Sequence, residues 1–242
     1  MYGWRARLGV LVPSGILAIE PDFGLMTPEG VSCHFHRFHF KGGSTNEEVV
    51  ERLKRAEDYI GDAAELITHA RPAVVAMTGT GVSFIGGHGY DQKLIKKMQE
   101  RNGNLPTTTT STSAIDALNT MGIKKVSIAM PYVEPVSRTV VKFVEDHGIE
   151  VLNAKWLNLG GMDIAQVSRE TLYHLVWEVN EPESEAIFIS CVNLHAVEII
   201  DELETDLQKP VVTSNQATMW NMLRMAHIKD RIEGYGRLLV DY

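Results

Sequence analysis

Ala186-Ile187-Phe188-Ile189-Ser190-Cys191 is a short β-branched run that ends on one of the chain's two cysteines. Ala73-Val74-Val75-Ala76-Met77-Thr78-Gly79 repeats its pattern with glycine in the final place. Two further pairs lie outward of these. Leu8-Gly9-Val10-Leu11-Val12-Pro13-Ser14 is echoed by Val126-Ser127-Ile128-Ala129-Met130-Pro131-Tyr132, and Leu105-Pro106-Thr107-Thr108-Thr109 by Lys209-Pro210-Val211-Val212-Thr213. The three pairs recur in one order, with a drift in spacing that differences in loop length explain, so the chain reads as two similar halves. Between the runs lie stretches of helical period. Strand and helix in alternation is the pattern of an α/β fold with parallel sheets.

The helices are placed by their apolar faces. Asn46 reads as an N-cap with Glu47 and Glu48 in the first turn, followed by Val49, Leu53, Ala56, Ile60, Ala63 and Ile67 on one face until Pro72 stops the helix. Further helices are expected around Tyr90–Met98, from Ile115 to Gly122, from Pro135 to Gly148, around Leu172–Val179, and over Val197–Leu207. A last helix starting near Asn215 is expected to return to the first half. The expected architecture is two pseudo-symmetric Rossmann-like or flavodoxin-like lobes. Residues 1–112 with 218–242 form the first, residues 113–217 form the second, and the active site lies in the cleft between them.

Composition narrows the function. A formal charge of −8 opposes nonspecific binding to nucleic acid or to an anionic membrane, both of which rely on clustered Lys and Arg. The apolar run from Leu8 to Ile19 is broken by Pro13, Ser14 and Gly15, is too short to span a bilayer and lacks a leader-cleavage pattern. Two cysteines build no disulfide framework, and neither sits in a zinc-type spacing. A cytoplasmic protein is expected, with homo-oligomerisation left open. Open α/β sheets bind ligands at the carboxyl ends of their strands. The loops there carry Ser14, Thr78, Thr80, Ser83, Thr109 to Thr112, Tyr132, Cys191, Asn193 and Thr213 to Asn215, nearly all neutral hydrogen-bond donors. Such hydroxyls, with backbone N–H groups, hold a carboxylate or an enediolate without a metal. Gly79-Thr80-Gly81 does not complete a dinucleotide fingerprint, because Phe84 stands at the third glycine and no ribose-binding acid follows at the right distance. No cofactor and no metal are expected, and a small carboxylic acid is the expected ligand.

With these residues in place the chain resembles the aspartate/glutamate racemase superfamily, and within it the branch of arylmalonate decarboxylase and maleate isomerase. The resemblance spans essentially the whole chain. It is carried by Gly9-Val10-Leu11-Val12-Pro13, Met77-Thr78-Gly79-Thr80-Gly81-Val82-Ser83-Phe84, Ser190-Cys191, Pro210-Val211-Val212-Thr213-Ser214 and Gly234-Tyr235-Gly236-Arg237-Leu238. It implies a cysteine in each half for racemases and isomerases, and only the second for the decarboxylase, with glycine at the first. Gly79 and Cys191 match the decarboxylase. Racemisation needs acid–base groups on both faces of a carbon, whereas malonate decarboxylation needs one proton donor for a planar enediolate.

The resemblance further implies that Cys191 is the catalytic donor and that Thr80, the backbone at Gly81, the Tyr132 hydroxyl and the backbone at Val192 and Asn193 cradle the enediolate, with Pro13 and Ser14 at the rim. The decarboxylase pattern has serine where Gly81 stands and two glycines where Val192 and Asn193 stand. The isomerase pattern has Pro-Ser-Ser-Asn where this chain has Pro13-Ser14-Gly15-Ile16. A decarboxylase of 2-substituted malonates is therefore the first reading, a racemase or cis-trans isomerase the second, and a noncatalytic carboxylate binder the third.

Other residues take plainer readings. A free cysteine is commonly a buried small hydrophobe, and Cys33 is read that way. Cys191, at a strand end ahead of an expected helix whose N-terminus tunes a thiol, is read as functional. Alternation along Cys33-His34-Phe35-His36-Arg37-Phe38-His39-Phe40 puts His34 and His36 on one face and Arg37 and His39 on the other. Two histidines make a poor metal site, so a solvated edge strand is the default, and Arg37 is a candidate clamp for a second carboxylate. His195 is read as a helix-surface residue.

Overall fold

The computed structural model describes residues 2–40 and 46–242, with the side chain of Asn46, read above as a cap, outside the described residues. The first half contains β1 (Ala6–Pro13), α1 (Ile19–Met26), β2 (Val31–Phe38), α2 (Asn46–Arg55), α3 (Glu57–Leu66), β3 (Val74–Met77), α4 (Thr80–Phe84), α5 (Tyr90–Gln99), β4 (Thr107–Thr109) and α6 (Thr110–Thr120). The second contains β5 (Lys125–Tyr132), α7 (Glu134–Asp146), β6 (Glu150–Leu159), α8 (Arg169–Val179), β7 (Ala186–Ile189), α9 (Ile200–Leu207), β8 (Val211–Thr213), α10 (Ser214–Met225) and α11 (Arg237–Asp241). Two four-stranded parallel sheets result, ordered β2-β1-β3-β4 and β6-β5-β7-β8, the same topology twice. The central strands β3 and β7 are buried throughout, as parallel strands covered by helices on both faces must be.

The fold follows the sequence reading with three informative differences. The helix read from Asn46 to Ile67 is broken at Ala56, where Tyr59 N–H bonds the Ala56 carbonyl in a tightened turn. Its two pieces pack on different partners: α2 on α4 and, across the cleft, on α7; α3 on β2 and α5. Helix α1 was not foreseen because Pro21 and Gly24 lower its propensity. Strand β6 was not foreseen because an edge strand is half-exposed and its apolar alternation is blurred by Asn153, Lys155 and Asn158.

The two halves meet along α6 and α10, which are each other's counterparts. Thr109 caps α6 by accepting the Thr112 N–H, and Thr213 caps α10 by accepting the Gln216 N–H while the Gln216 side chain returns to the Thr213 N–H. α10 packs chiefly on α6 and also reaches α1, β3 and β4, so the helix that begins at the end of the second sheet closes against the first. The expected divisions after residues 112 and 217 therefore fall inside α6 and α10. Among the described residues no helix is long and apolar enough to cross a membrane.

The segment Gly234-Tyr235-Gly236-Arg237 docks the last helix. Gln216 Nε2 donates to the Tyr235 carbonyl (2.6 Å), Gly236 N–H donates to Asp201 Oδ1 (2.6 Å) and Arg237 N–H donates to Glu204 Oε2 (2.9 Å). Gly236 has φ +83°, and a Cβ there would lie 2.4 Å from Ile200 Cγ2 and 2.8 Å from Gln216 Nε2. Gly236→Ala is expected to lower the Tm by roughly 4–10 °C, the cost of a left-handed backbone plus overpacking. Calorimetry checks it, and an unchanged transition would contradict this docking.

Candidate active site

One cavity of about 220 Å³ lies between the halves, at the carboxyl ends of both sheets. The end of β1 contributes Pro13, the turn after β3 contributes Gly79, Thr80 and Gly81, the end of β5 contributes Tyr132, and the turn after β7 contributes Cys191, Val192 and Asn193. Of the residues assigned a role from sequence, Ser14 alone does not line it. Its hydroxyl accepts the Phe40 N–H (3.1 Å) and faces the Phe40 carbonyl instead.

Cys191 is 6% exposed. The chain behind it does not enter a helix: residues 190–196 form a loop, and a 3-10 turn at Val197–Ile199 precedes α9. The thiol is therefore tuned by loop backbone rather than by a helix N-terminus. The Asn193 N–H donates to Sγ at 3.3 Å, and the Leu194 N–H lies near. Burial pushes the thiol up to about 11, against the pull of Asn193, Tyr132 and Leu194. At neutral pH the group carries its proton. His195 lies in this same loop, half-buried, and not on a helix surface.

The Tyr132 hydroxyl is completely buried. Burial foremost, with the neighbouring thiol, raises its pKa well above the ordinary value. Thr80, Ser190 and Cys191 surround it, yet among the described residues none completes a hydrogen bond to it, and the buried Ser190 hydroxyl is likewise unpaired. A buried donor without a partner costs roughly 1–3 kcal/mol, which a ligand oxygen would remove. The Thr80 hydroxyl donates to Ser214 Oγ at 2.9 Å, joining the first-half turn to the start of α10.

Gly79 is more than a missing cysteine. Its φ of +120° is one that L side chains rarely adopt, and a Cβ would lie 3.1 Å from Pro13 Cγ and 3.3 Å from Val82 Cγ2. The backbone opposite the thiol is thus built for glycine. Gly81 faces Leu53, whose Cδ2 would lie 3.0 Å from a Cβ, so leucine fills the space where the family decarboxylase has serine. Asn193 replaces a glycine with a tether: its Oδ1 accepts the N–H groups of Leu17 (2.7 Å) and Ala18 (3.4 Å) and ties the thiol loop to the entrance of α1.

Several sequence candidates serve structure. Thr109 caps α6, Ser83 and Ser111 share a hydroxyl contact at 2.5 Å, and Thr112 donates to Asp91 Oδ2 at 2.6 Å; none of them lines the cavity. Arg37 is not a substrate clamp, because it pairs with Glu20 and donates to the Ser14 and Ile16 carbonyls, bracing the β1 rim. His34 contacts Ser32 and His39 packs on Tyr59. Cys33 contacts the Thr27 hydroxyl, and burial pushes its thiol up to about 11. Among the described residues no cluster of three or more His, Cys, Asp or Glu is arranged to hold a metal. Sequence reading gave no site role to Phe40, Val49, Arg52, Leu53, Val136, Leu159, Met162 and Ile164, which form much of the remaining wall. Of these, Val49 and Leu53 stood on the expected apolar face of α2; the others had no signal separating them from core or surface.

A family model described as arylmalonate decarboxylase matches residues 8–239. The arylmalonate decarboxylase of Bordetella bronchiseptica is 32% identical over 236 residues, covering 96% of this chain and 95% of that protein. Among solved structures, the maleate isomerase Iso from Pseudomonas putida S16 superposes with a TM-score of 0.91 at 25% identity, over 98% of each chain. Unliganded arylmalonate decarboxylase superposes with a TM-score of 0.80 at 28% identity, over 97% of this chain and 98% of that one.

Behind the thiol loop lies Asp22 of α1, which is 3% exposed. Asn215 Nδ2 donates both to Asp22 Oδ2 (2.6 Å) and to the Val192 carbonyl (3.1 Å), so the carboxyl is linked to the loop that carries Cys191. Burial pushes Asp22 up to about 7, with Asn215 pulling down and Glu198 adding to the rise. A carboxyl raised in the folded state stabilises the fold fully only below its unfolded value, and that contribution is lost as pH climbs through about 4 to 7. The loss amounts to about 1.4 kcal/mol for each pH unit in that window. Asp22→Asn is expected to remove this component, so that urea midpoints at pH 5 and pH 8 differ less in the variant than in the native protein. An identical pH slope in the two would refute it.

Proposed function

The chain belongs to the arylmalonate decarboxylase family, whose relatives are decarboxylases and maleate isomerases. From that premise we propose that it is a cofactor-independent decarboxylase of 2-substituted malonates, with Cys191 as proton donor. One observation carries the reading: a single protonated thiol stands in the cavity, opposite a backbone held at a φ that favours glycine.

In this mechanism one carboxylate of the substrate lies against the Gly81 N–H, the Tyr132 hydroxyl, the Thr80 hydroxyl turned from Ser214 Oγ to the ligand, and the N–H groups of Val192 and Asn193. The bond from Cα to the other carboxyl carbon breaks, its electrons stay on the organic fragment and carbon dioxide leaves. The resulting enediolate places two partial charges on these donors, each worth roughly 3 kcal/mol in such a cradle. Cys191 then gives its proton to Cα: the S–H bond breaks, a C–H bond forms, and the thiolate is held by the Asn193 N–H until water reprotonates it. From a malonate with two different substituents on Cα, delivery from one face makes a single enantiomer of the monoacid.

Isomerisation of a butenedioate is a second reading, favoured by the higher TM-score to the maleate isomerase structure. It would need Cys191 as a thiolate. The ionised fraction of a thiol near 11 grows about tenfold for each pH unit between 7 and 9, so an isomerase rate would climb with it, whereas a rate that uses the protonated thiol would not. The test is to incubate the protein in heavy water with 2-aryl- and 2-alkylmalonates and with maleate. The expected result is carbon dioxide release with one deuterium at Cα, no rise in rate due to the thiol over pH 7–9, and a loss of about 10²–10⁴-fold in Cys191→Ala. Fumarate formation without gas, or full activity in the alanine variant, would overturn the reading.

A further inference from the structure

Arg52 is the one charged residue among the described residues that line the cavity. It sits on α2 between Val49 and Leu53, which face the same space, so a cation is set into an otherwise apolar wall. Its guanidinium centre lies 4.6 Å over the ring of Phe40, itself a wall residue. This cation–π contact holds the group against the wall, and a guanidinium presents its donors as a planar fork that suits a carboxylate. Beyond Arg52 a small hollow of about 30 Å³, shared with His39, Arg55 and Tyr59, has room for little more than one water. A carboxylate-bearing ligand therefore reaches Arg52 from the Cys191 side.

We propose that Arg52 selects substrates with a further acidic group at the end of their substituent, so that the acid taken is a malonate whose side chain ends in a carboxylate. The inference rests on the decarboxylase reading for its chemistry, though not for its binding. The departing carboxylate is a poor partner for Arg52. It leaves as neutral carbon dioxide, so a cation against it would hold the ground state more tightly than the transition state and slow the reaction. The carboxylate that becomes the enediolate is served by the donors around Cys191. A third acid group is the one whose charge survives the reaction, and binding it adds affinity without opposing the chemistry.

The test compares binding of phenylacetate and 4-(carboxymethyl)benzoate, monoacid products without and with the distal group, by calorimetry on the native protein, Arg52→Gln and Arg52→Lys. The native protein is expected to prefer the diacid by about 10- to 100-fold, the yield of one charge-assisted pair. Arg52→Gln should lose the preference, and Arg52→Lys should keep part of it, having the charge without the planar fork. No preference in the native protein, or a preference that survives in Arg52→Gln, overturns the proposal. Should the glutamine variant fail to fold, the native ratio and the lysine variant decide. Gas release from phenylmalonate and (4-carboxyphenyl)malonate is followed separately. Diacid preference without gas sinks the decarboxylase reading alone, and gas without preference sinks the role of Arg52 alone.

Discussion

The contact between α6 and α10 is the constraint on which the site depends. Each helix begins one residue after a buried three-residue strand, each is capped by the threonine that ends that strand, and the two pack side by side where the halves meet. Polar groups fix their register. Thr218 donates to Thr110 Oγ1 (3.2 Å), and Asn221 Nδ2 reaches Ser113 Oγ (3.2 Å) and Asp116 Oδ2 (3.0 Å). Buried polar contacts of this sort penalise a slipped pairing, because a slip would leave several groups unsatisfied at once. With the seam held, the turns after β3 and β7 occupy equivalent positions and must face each other. The cavity is the space they enclose.

Chemical asymmetry is then imposed on a symmetric frame. On one side the Gly79 backbone takes a conformation that L side chains rarely adopt, and on the other a thiol is buried against loop N–H groups. The burial that keeps the Cys191 proton in place also surrounds the Tyr132 and Ser190 hydroxyls, which have no partner among the described residues, and in a low dielectric an unpaired hydroxyl is costly. Asn193 and the Asp22–Asn215 pair hold the loop from behind, anchoring it to α1 of the opposite half. The thiol is thus positioned by residues of both lobes, although its own strand belongs to one.

The wall around this centre has two chemical regions. Near the thiol it is made of hydroxyls and backbone donors; away from it, the side chains of α2 and of residues 159–164 make it apolar except at Arg52. In the proposed decarboxylation the substituents of the substrate meet the second region. On that proposal chemistry and selectivity belong to separate segments, the first to strand ends and the second to a helix and a loop that approach the cleft from its two sides.

The strand order came from the structure, whereas the sequence by itself determined the repeat, the alternation of strand and helix and the residues at the strand ends. Those features follow from local pattern: β-branched runs, helical period and punctuation by Pro, Gly and Thr. It also singled out Gly79 and Cys191, because equivalent places in a repeat are visible without coordinates. Only the tertiary structure decided which polar residues face the cavity. Ser14 and the Thr109 to Thr112 run have the chemistry of site residues but are consumed by backbone and by the helix seam, while Arg37, the expected clamp, braces the rim and Arg52 holds the place in the wall. The direction of a side chain at a cleft depends on helices brought together from distant parts of the chain, and no local spacing records it. The same holds for Asp22, whose carboxyl is perturbed by burial beneath a loop 170 residues away, counted from Asp22 to Val192.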